Sequence, residues 1–133
     1  MQVKVLVVDD TDHVRHMLVD MLELDGFEVV GQAASGEEGI SLSAGADPDV
    51  VVMDYKMPDM DGLATAEGIR KDRPNQAIIL YTAYLDSGLE QRAKEAGVAL
   101  CIGKVEGLSQ LERHIRELCR NLTDGRHQQS FGF

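Results

Sequence analysis

Five short apolar runs are spaced along the chain, and polar segments with helical periodicity separate them. The run Val50–Met53 is apolar at every position. Such a run is typical of a strand covered on both faces in a parallel sheet. Similar runs predict four further strands, at residues 3–8, 27–30, 77–81 and 98–102. Because the strands alternate with predicted helices, the pattern favours an α/β fold.

Local signals indicate where the helices begin and end. Thr11 or Asp12 can cap the first helix, and Ser35 with Glu38 has the spacing of a capping box for the second. The first helix is predicted to bury a stripe of apolar residues: Val14, Met17, Leu18, Met21 and Leu22. A third helix follows Gly62, and a fourth is predicted over residues 85–96. The last helix carries its own apolar stripe: Leu108, Leu111, Ile115, Leu118 and Leu122.

The order of elements predicts a flavodoxin-like, doubly wound parallel sheet of five strands with five helices. Right-handed crossovers leave few arrangements, and the strand order 2-1-3-4-5 suits five strands. The composition becomes polar after Leu122. We therefore predict one domain over residues 1–122 and a polar, disordered tail over residues 123–133.

Composition narrows the classes of function. The 133 residues include 13 Lys and Arg and 23 Asp and Glu, for a net charge of −10. This acidity argues against direct binding to nucleic acid or to an anionic membrane, which require basic surfaces. Cys101 and Cys119 form no CxxC motif, and no window of the sequence approaches membrane-spanning length. We expect a cytoplasmic protein.

Polar residues follow four of the five predicted strands. Asp9 and Asp10 follow the first strand, Asp54 the third, Thr82 the fourth and Lys104 the fifth. Because parallel strands end at one edge of the sheet, these side chains should converge there. Three carboxylates in one crevice repel each other, and a Mg²⁺ ion would relieve that repulsion. With a lysine and a hydroxyl nearby, the crevice suits transfer of a phosphoryl group to Asp54.

The same residues form a pattern in sequence, together with the segment after the third acid: Asp9-Asp10, Asp54, Met57-Pro58-x-Met60-Asp61-Gly62, Thr82 and Lys104. This pattern resembles the CheY-like receiver domains of two-component response regulators, over about Val3 to Leu122. The resemblance is to a receiver domain that stands alone. The resemblance implies a phosphorelay signalling module. Such a module is not an enzyme, apart from catalysing its own phosphorylation and dephosphorylation at Asp54.

The resemblance also implies a role for each residue. Asp54 would be the phosphoacceptor, and Thr82 and Lys104 would contact the phosphoryl oxygens. The implied Mg²⁺ ligands are the carboxylates of Asp9, Asp10 and Asp54 and the backbone carbonyl of Lys56. The donor would be a phosphohistidine on a sensor histidine kinase or a histidine phosphotransfer protein. Phosphorylation would change the surface of the fourth helix, fifth strand and fifth helix, where an output protein or a second copy of the chain would bind.

Three positions, Lys56, Tyr84 and Cys101, are expected to modulate the switch. Many relatives carry an aromatic residue three positions before the lysine and a proline after it, whereas this chain has Cys101 and Val105. Lys56 and Tyr84 lie two residues beyond Asp54 and Thr82, where family members flank the path of the attacking water. We therefore expect Lys56 and Tyr84 to set the lifetime of the phosphorylated state.

Three other functions are alternatives to a stand-alone receiver domain. A haloacid-dehalogenase-type phosphatase is disfavoured, because that class has a second acid where this chain has Lys56. A pseudo-receiver that binds partners without phosphorylation is left open by Cys101 and Val105. The residues that argue against it are Asp10, Asp54, Thr82 and Lys104. The chain could also be the receiver fragment of a longer DNA-binding regulator, whose segment around the acceptor it resembles.

Overall fold

Strands and helices alternate along the chain, as the apolar pattern predicts. The computed structural model describes residues 2–83 and 85–132, without the side chains of Val105 and of residues 121–132. The elements are β1 (Lys4–Val8), α1 (Asp12–Leu24), β2 (Glu28–Ala33), α2 (Gly36–Ala46), β3 (Val50–Met53), α3 (Gly62–Asp72), β4 (Ala77–Thr82), α4 (Ser87–Glu95), β5 (Leu100–Gly103), a 3₁₀ turn (Lys104–Glu106) and α5 (Leu108–Gly132).

The strands form a parallel sheet in the order β2-β1-β3-β4-β5, which confirms the predicted flavodoxin-like topology. β1 and β3 lie side by side, with Val8 opposite Met53. β4 and β5 continue the sheet, with Thr82 opposite Gly103. The carboxyl ends of these four strands therefore meet at one edge, where the polar residues follow.

Both faces of the sheet are covered, which explains why its strands are apolar at successive positions. One cluster of buried residues lies on the side of α1 and α5 and includes Val5, Val7, Leu18, Leu22, Val52, Ile79, Leu111 and Ile115. The other lies on the side of α2, α3 and α4 and includes Leu6, Val8, Val51, Met53, Ala66, Ile69, Leu80 and Leu89. Each large side chain buried in this way contributes about 1.5–3 kcal/mol.

The buried face of α1 differs from the predicted stripe. The residues that α1 buries are Arg15, Leu18, Val19 and Leu22. Met17 and Met21 are exposed, at 56% and 41% of their surface, although the apolar periodicity predicts them inside. The buried face thus includes the guanidinium of Arg15, which donates to the backbone carbonyl of Asp9 and to the side chain of Gln32.

Several element boundaries also differ from prediction, among them those of β2, α4 and α5. β2 extends to Ala33, because it pairs with β1 along its whole length. α4 begins at Ser87, where the carboxylate of Asp86 accepts from the N–H of Leu89 at 2.7 Å and caps the helix. α5 continues to Gly132, beyond the end predicted near Leu122. The side chains of residues 121–133 lie outside the described part, so the separation of domain and tail stays a prediction.

None of the helices in the described part of the chain is long and apolar enough to cross a membrane.

Candidate functional site

The sheet places Asp9 and Asp54 next to each other. The N–H of Asp54 donates to the carbonyl of Val8 at 3.0 Å, and the N–H of Asp9 donates to the carbonyl of Ala33 at 3.0 Å. Each acid thus continues the hydrogen bonding of its strand by one residue before the chain turns. Asp9 is buried, with 2% of its surface exposed, and the side chain of Asp54 is 14% exposed. The crevice therefore holds two carboxylates largely removed from water.

Lys104 crosses the crevice from the end of β5. Its Nζ lies 3.2 Å from Asp54 Oδ2 and 3.5 Å from Asp9 Oδ2, and a quarter of its side chain is exposed. The ammonium also lies 5.8 Å from the centre of the Tyr81 ring, on β4. Lys104 is therefore held between two carboxylates and an aromatic face.

The electrostatics follow from burial and from these charges. Burial raises the pKa of Asp54 above its ordinary value; the charge of Lys104 opposes this shift, and the charge of Asp9 adds to it. Desolvation of Lys104 disfavours its charged form, but the carboxylates of Asp54 and Asp9 outweigh desolvation and raise the pKa of the ammonium. The two carboxylates thus favour the charged form of Lys104, whereas burial and the charge of Asp9 disfavour the anion of Asp54.

Asp10 completes an acidic cluster at the mouth of the crevice. Its side chain is exposed, and one carboxylate oxygen each of Asp9, Asp10 and Asp54 can lie within 4.8 Å of the others. Hard oxygen ligands of this kind suit Mg²⁺, which retains several waters and needs few protein ligands. The donor atoms of this cluster therefore fit a Mg²⁺ ion.

The remaining predicted residues lie around this cluster. Thr82 is fully buried at the end of β4, beside Gly103 of β5. Lys56 is exposed in the loop after β3. Cys101 is partly buried on β5 and packs against the core on the α4 side, and burial raises the pKa of its thiol, with a smaller contribution from the charge of Glu90.

Two positions that were expected to bear on the switch, Tyr84 and Val105, are not fully described. Tyr84 lies outside the described residues, as does the side chain of Val105. The backbone at Val105 belongs to the 3₁₀ turn that follows β5. The described residues contain no cis peptide bond.

Sequence reasoning missed three contacts of the site. The backbone N–H of Tyr55 donates to Asp54 Oδ1 at 2.7 Å. The ring of Tyr81 faces Lys104. Arg15 donates to the carbonyl of Asp9 at 2.8 Å and so fixes the turn that carries Asp9 and Asp10. An arginine within the apolar part of a helix is the one signal that could have indicated the last contact.

Comparison with known proteins agrees with this geometry. The family model described as the response regulator receiver domain matches residues 5–116. The chain is 39% identical over 115 residues to the response regulator GacA of Pseudomonas syringae pv. syringae, covering 86% of the chain and 54% of that protein. The chain spans about half the length of the curated relatives it matches.

Solved structures give the same result. The chemotaxis protein CheY4 of Vibrio cholerae superposes with a TM-score of 0.82 at 27% identity, over 89% of this chain and 99% of that one. The CheX–CheY–BeF₃–Mg²⁺ complex of Borrelia burgdorferi contains a chain that superposes with a TM-score of 0.81 at 25% identity, over 87% of this chain and 88% of that one. The chain therefore belongs to the response regulator receiver domain family.

Proposed function

We propose that this receiver domain accepts a phosphoryl group on Asp54 from a phosphohistidine of a sensor histidine kinase or a histidine phosphotransfer protein. The observation that carries the proposal is the contact of Asp54 with Lys104 inside a cluster of three acids. An oxygen of the Asp54 carboxylate would form a bond to phosphorus while the P–N bond to the donor histidine breaks. The electron pair of that bond returns to the histidine ring.

The residues around Asp54 support each part of this transfer. Asp9, Asp10, Asp54 and the backbone carbonyl of Lys56 would hold Mg²⁺, which when bound supplies positive charge to the phosphoryl oxygens. The raised pKa of Asp54 supports a bound cation, because a cation would offset the burial and the neighbouring Asp9 charge that disfavour the anion. The N–H of Tyr55 holds one oxygen of Asp54 in place.

Lys104 and Thr82 are proposed to contact the product. Lys104 already donates to Asp54 Oδ2, so a phosphoryl group attached to Asp54 would lie within reach of the same ammonium. Thr82 ends the neighbouring strand and would supply a hydroxyl donor. Such charge-assisted hydrogen bonds are stronger than neutral ones, which would let the domain recognise its phosphorylated state.

The test is the intact mass of the protein after incubation with acetyl phosphate and Mg²⁺. The wild-type protein should gain the mass of one phosphoryl group, and the Asp54→Asn variant should gain none. Chelation of Mg²⁺ should abolish the gain. A wild-type protein that gains no mass, or an Asp54→Asn variant that gains as much, would contradict the proposal.

The output of the domain is proposed to lie on the surface of α4, β5 and α5. Phosphorylation adds about −1.5 to −2 charges beside Lys104 and Thr82. Their new hydrogen bonds should draw the loop after β4 inward, and Cys101 is too small to fill the space as an aromatic residue would. Amide exchange with and without beryllofluoride tests this: changed protection from Thr82 to Leu108 is expected, and a change confined to the loop after Asp54 would contradict it.

The partners of the domain are also proposals. The structure of the Borrelia burgdorferi relative is a complex with the protein CheX, which supports a protein partner here. An unidentified output protein, or a second copy of the chain bound after phosphorylation, would be that partner. Because the relatives are about twice as long, a longer DNA-binding regulator is a second candidate for the natural context. Both contexts support the proposal of a cytoplasmic location. Immunoblotting of the endogenous protein would distinguish a chain near 14.6 kDa from a regulator of about twice that size.

A further inference from the structure

The loop between β3 and α3, residues 54–61, is fixed to another helix by one of its acidic side chains. The carboxylate of Asp59 accepts from the backbone N–H of Gly36 at 3.0 Å and from that of Glu37 at 2.9 Å. Gly36 and Glu37 are the first two residues of α2. These hydrogen bonds lower the pKa of Asp59, so its carboxylate stays ionised where the helix dipole favours a negative charge. The loop that carries the acceptor thus caps α2 from a distance in sequence.

Packing reinforces this attachment. A Cβ atom built on Gly36 would overlap the Oγ1 of Thr65 and the side chain of Met60, so the loop and α3 lie directly on the start of α2. The remaining cap of α2 is local, because Ser35 Oγ accepts from the N–H of Glu38 at 3.2 Å. The first turn of α2 therefore receives one acceptor from its own sequence and one carboxylate from the acceptor loop.

The other contacts of the loop lie close to the acceptor. The N–H of Gly62 donates to the carbonyl of Tyr55 at 2.6 Å, and the N–H of Tyr55 donates to Asp54 Oδ1. Lys56 lies between Tyr55 and Asp59. Its carbonyl, one of the proposed Mg²⁺ ligands, therefore belongs to a stretch of backbone that is attached on both sides. Tyr55 is held by Asp54 and Gly62, and Asp59 provides the attachment on the other side.

We propose that Asp59 is a positioning residue, which holds the acceptor loop against α2 so that the Lys56 carbonyl and the Asp54 carboxylate are presented together to Mg²⁺. This inference rests on the proposed function, because it concerns the metal and the acceptor of that same site. Asp59 itself does not contact the metal or the phosphoryl group. It acts through the backbone, as residues that support metal ligands commonly do.

A role limited to helix capping makes a different prediction, and Ser35 provides the matched control. Ser35→Ala removes a side-chain cap of the same helix and leaves the acceptor loop untouched. Asp59→Ala removes caps of that helix and also frees the loop. Asp59→Asn keeps one carboxamide oxygen as an acceptor for the N–H groups, so it should restore part of the attachment.

The experiment measures the dissociation constant of Mg²⁺ by nuclear magnetic resonance titration, and the rate of phosphorylation by acetyl phosphate over a range of Mg²⁺ concentrations. We expect Asp59→Ala to weaken Mg²⁺ binding by about tenfold, with Asp59→Asn between this variant and the wild type. Ser35→Ala should bind Mg²⁺ as the wild type does. The rate lost in Asp59→Ala should return at high Mg²⁺, because the reacting groups are intact.

Two results would overturn the inference in distinguishable ways. If the wild type binds Mg²⁺ and Asp59→Ala binds it equally well, Asp59 is only a cap and the proposed function is unaffected. If the wild type neither binds Mg²⁺ nor becomes phosphorylated, the proposed function fails and the positioning role fails with it. If Asp59→Ala does not fold, Asp59→Asn takes its place in the test. The inference is then overturned if Mg²⁺ binds equally well to Asp59→Asn, Ser35→Ala and the wild type.

Discussion

Replacing Lys104 with methionine removes a positive charge that lies 3.2 Å from Asp54 Oδ2 and 3.5 Å from Asp9 Oδ2. At an effective dielectric constant of about 20, unit charges at these separations attract each other by about 5 kcal/mol. The cost of desolvating three charged groups offsets much of this attraction, and the lysine is a quarter exposed. Because the variant leaves two anions together with little water around them, we expect its free energy of unfolding to fall by about 2–3 kcal/mol.

The pH dependence of this loss has a definite sign. Burial holds the pKa of Asp54 above its ordinary value, and the charge of Lys104 opposes that shift. Without Lys104 the pKa of Asp54 rises further. A carboxyl whose pKa is higher in the folded than in the unfolded protein binds its proton first in the folded state, so stability is greatest below the unfolded pKa and falls as pH rises through the folded pKa. The loss of unfolding free energy in Lys104→Met should therefore be small in acid and grow toward neutral pH.

Urea unfolding followed by circular dichroism, with Mg²⁺ chelated, measures this deficit across the pH range. Lys94→Met is the matched control, because Lys94 is exposed on α4. Combining Lys104→Met with Asp54→Asn removes one of the two anions and should recover about 1–2 kcal/mol. Equal urea midpoints for Lys104→Met and Lys94→Met at neutral pH, or a deficit that is the same in acid, would refute the reasoning.

Three further predictions concern the metal, the acid pair of Asp25 and Glu112, and the lifetime of the phosphorylated state. Millimolar Mg²⁺ should raise the melting temperature of the wild type, and Asp10→Ala should abolish that rise; an unchanged wild-type melting temperature would count against the metal site. Burial, together with the neighbouring Asp25, raises the pKa of Glu112 from 4.5 to about 7, so the wild type should lose stability as pH rises through this range. Thermal unfolding of Glu112→Gln should lack that loss of stability. Parallel pH profiles of stability for the variant and the wild type would contradict the raised pKa of Glu112. Lys56→Ala and Tyr84→Ala should both become phosphorylated but lose the phosphoryl group at altered rates, and unchanged decay in both would exclude their role.

The strand ends of this fold are predictable from sequence for a simple physical reason. A strand buried on both faces is apolar at every position, so the first charged residue after it marks the edge of the sheet. Val50–Met53 followed by Asp54 is such a case, and the run before Asp9 is another. Parallel pairing then brings the two acids together, whatever the lengths of the helices between them. The approach of Lys104 follows from the same rule.

The features that were missed depend on contacts between distant parts of the chain. The apolar residues of α1 cover a wide arc of the helix, and its buried face also holds Arg15, which reaches the carbonyl of Asp9. Periodicity alone cannot show that Met17 is outside and Arg15 inside. The attachment of Asp59 to α2 spans more than twenty residues and involves backbone N–H groups, which every sequence contains. Such contacts leave no local pattern to detect.

The short hydrogen bond from Gly62 to Tyr55 restricts the mutations that this domain can accept. A Cβ atom at position 62 would lie 2.6 Å from the carbonyl oxygen of Asp54 and 3.1 Å from Cα of Tyr55, so even alanine would displace the backbone that follows β3. Gly45, in contrast, has no atom within 4 Å of a Cβ built on it. In a library of all single variants selected for phosphorylation, position 45 should accept many residues and position 62 only glycine. The close approach of the backbone therefore restricts substitution beside Asp54 far more than at position 45.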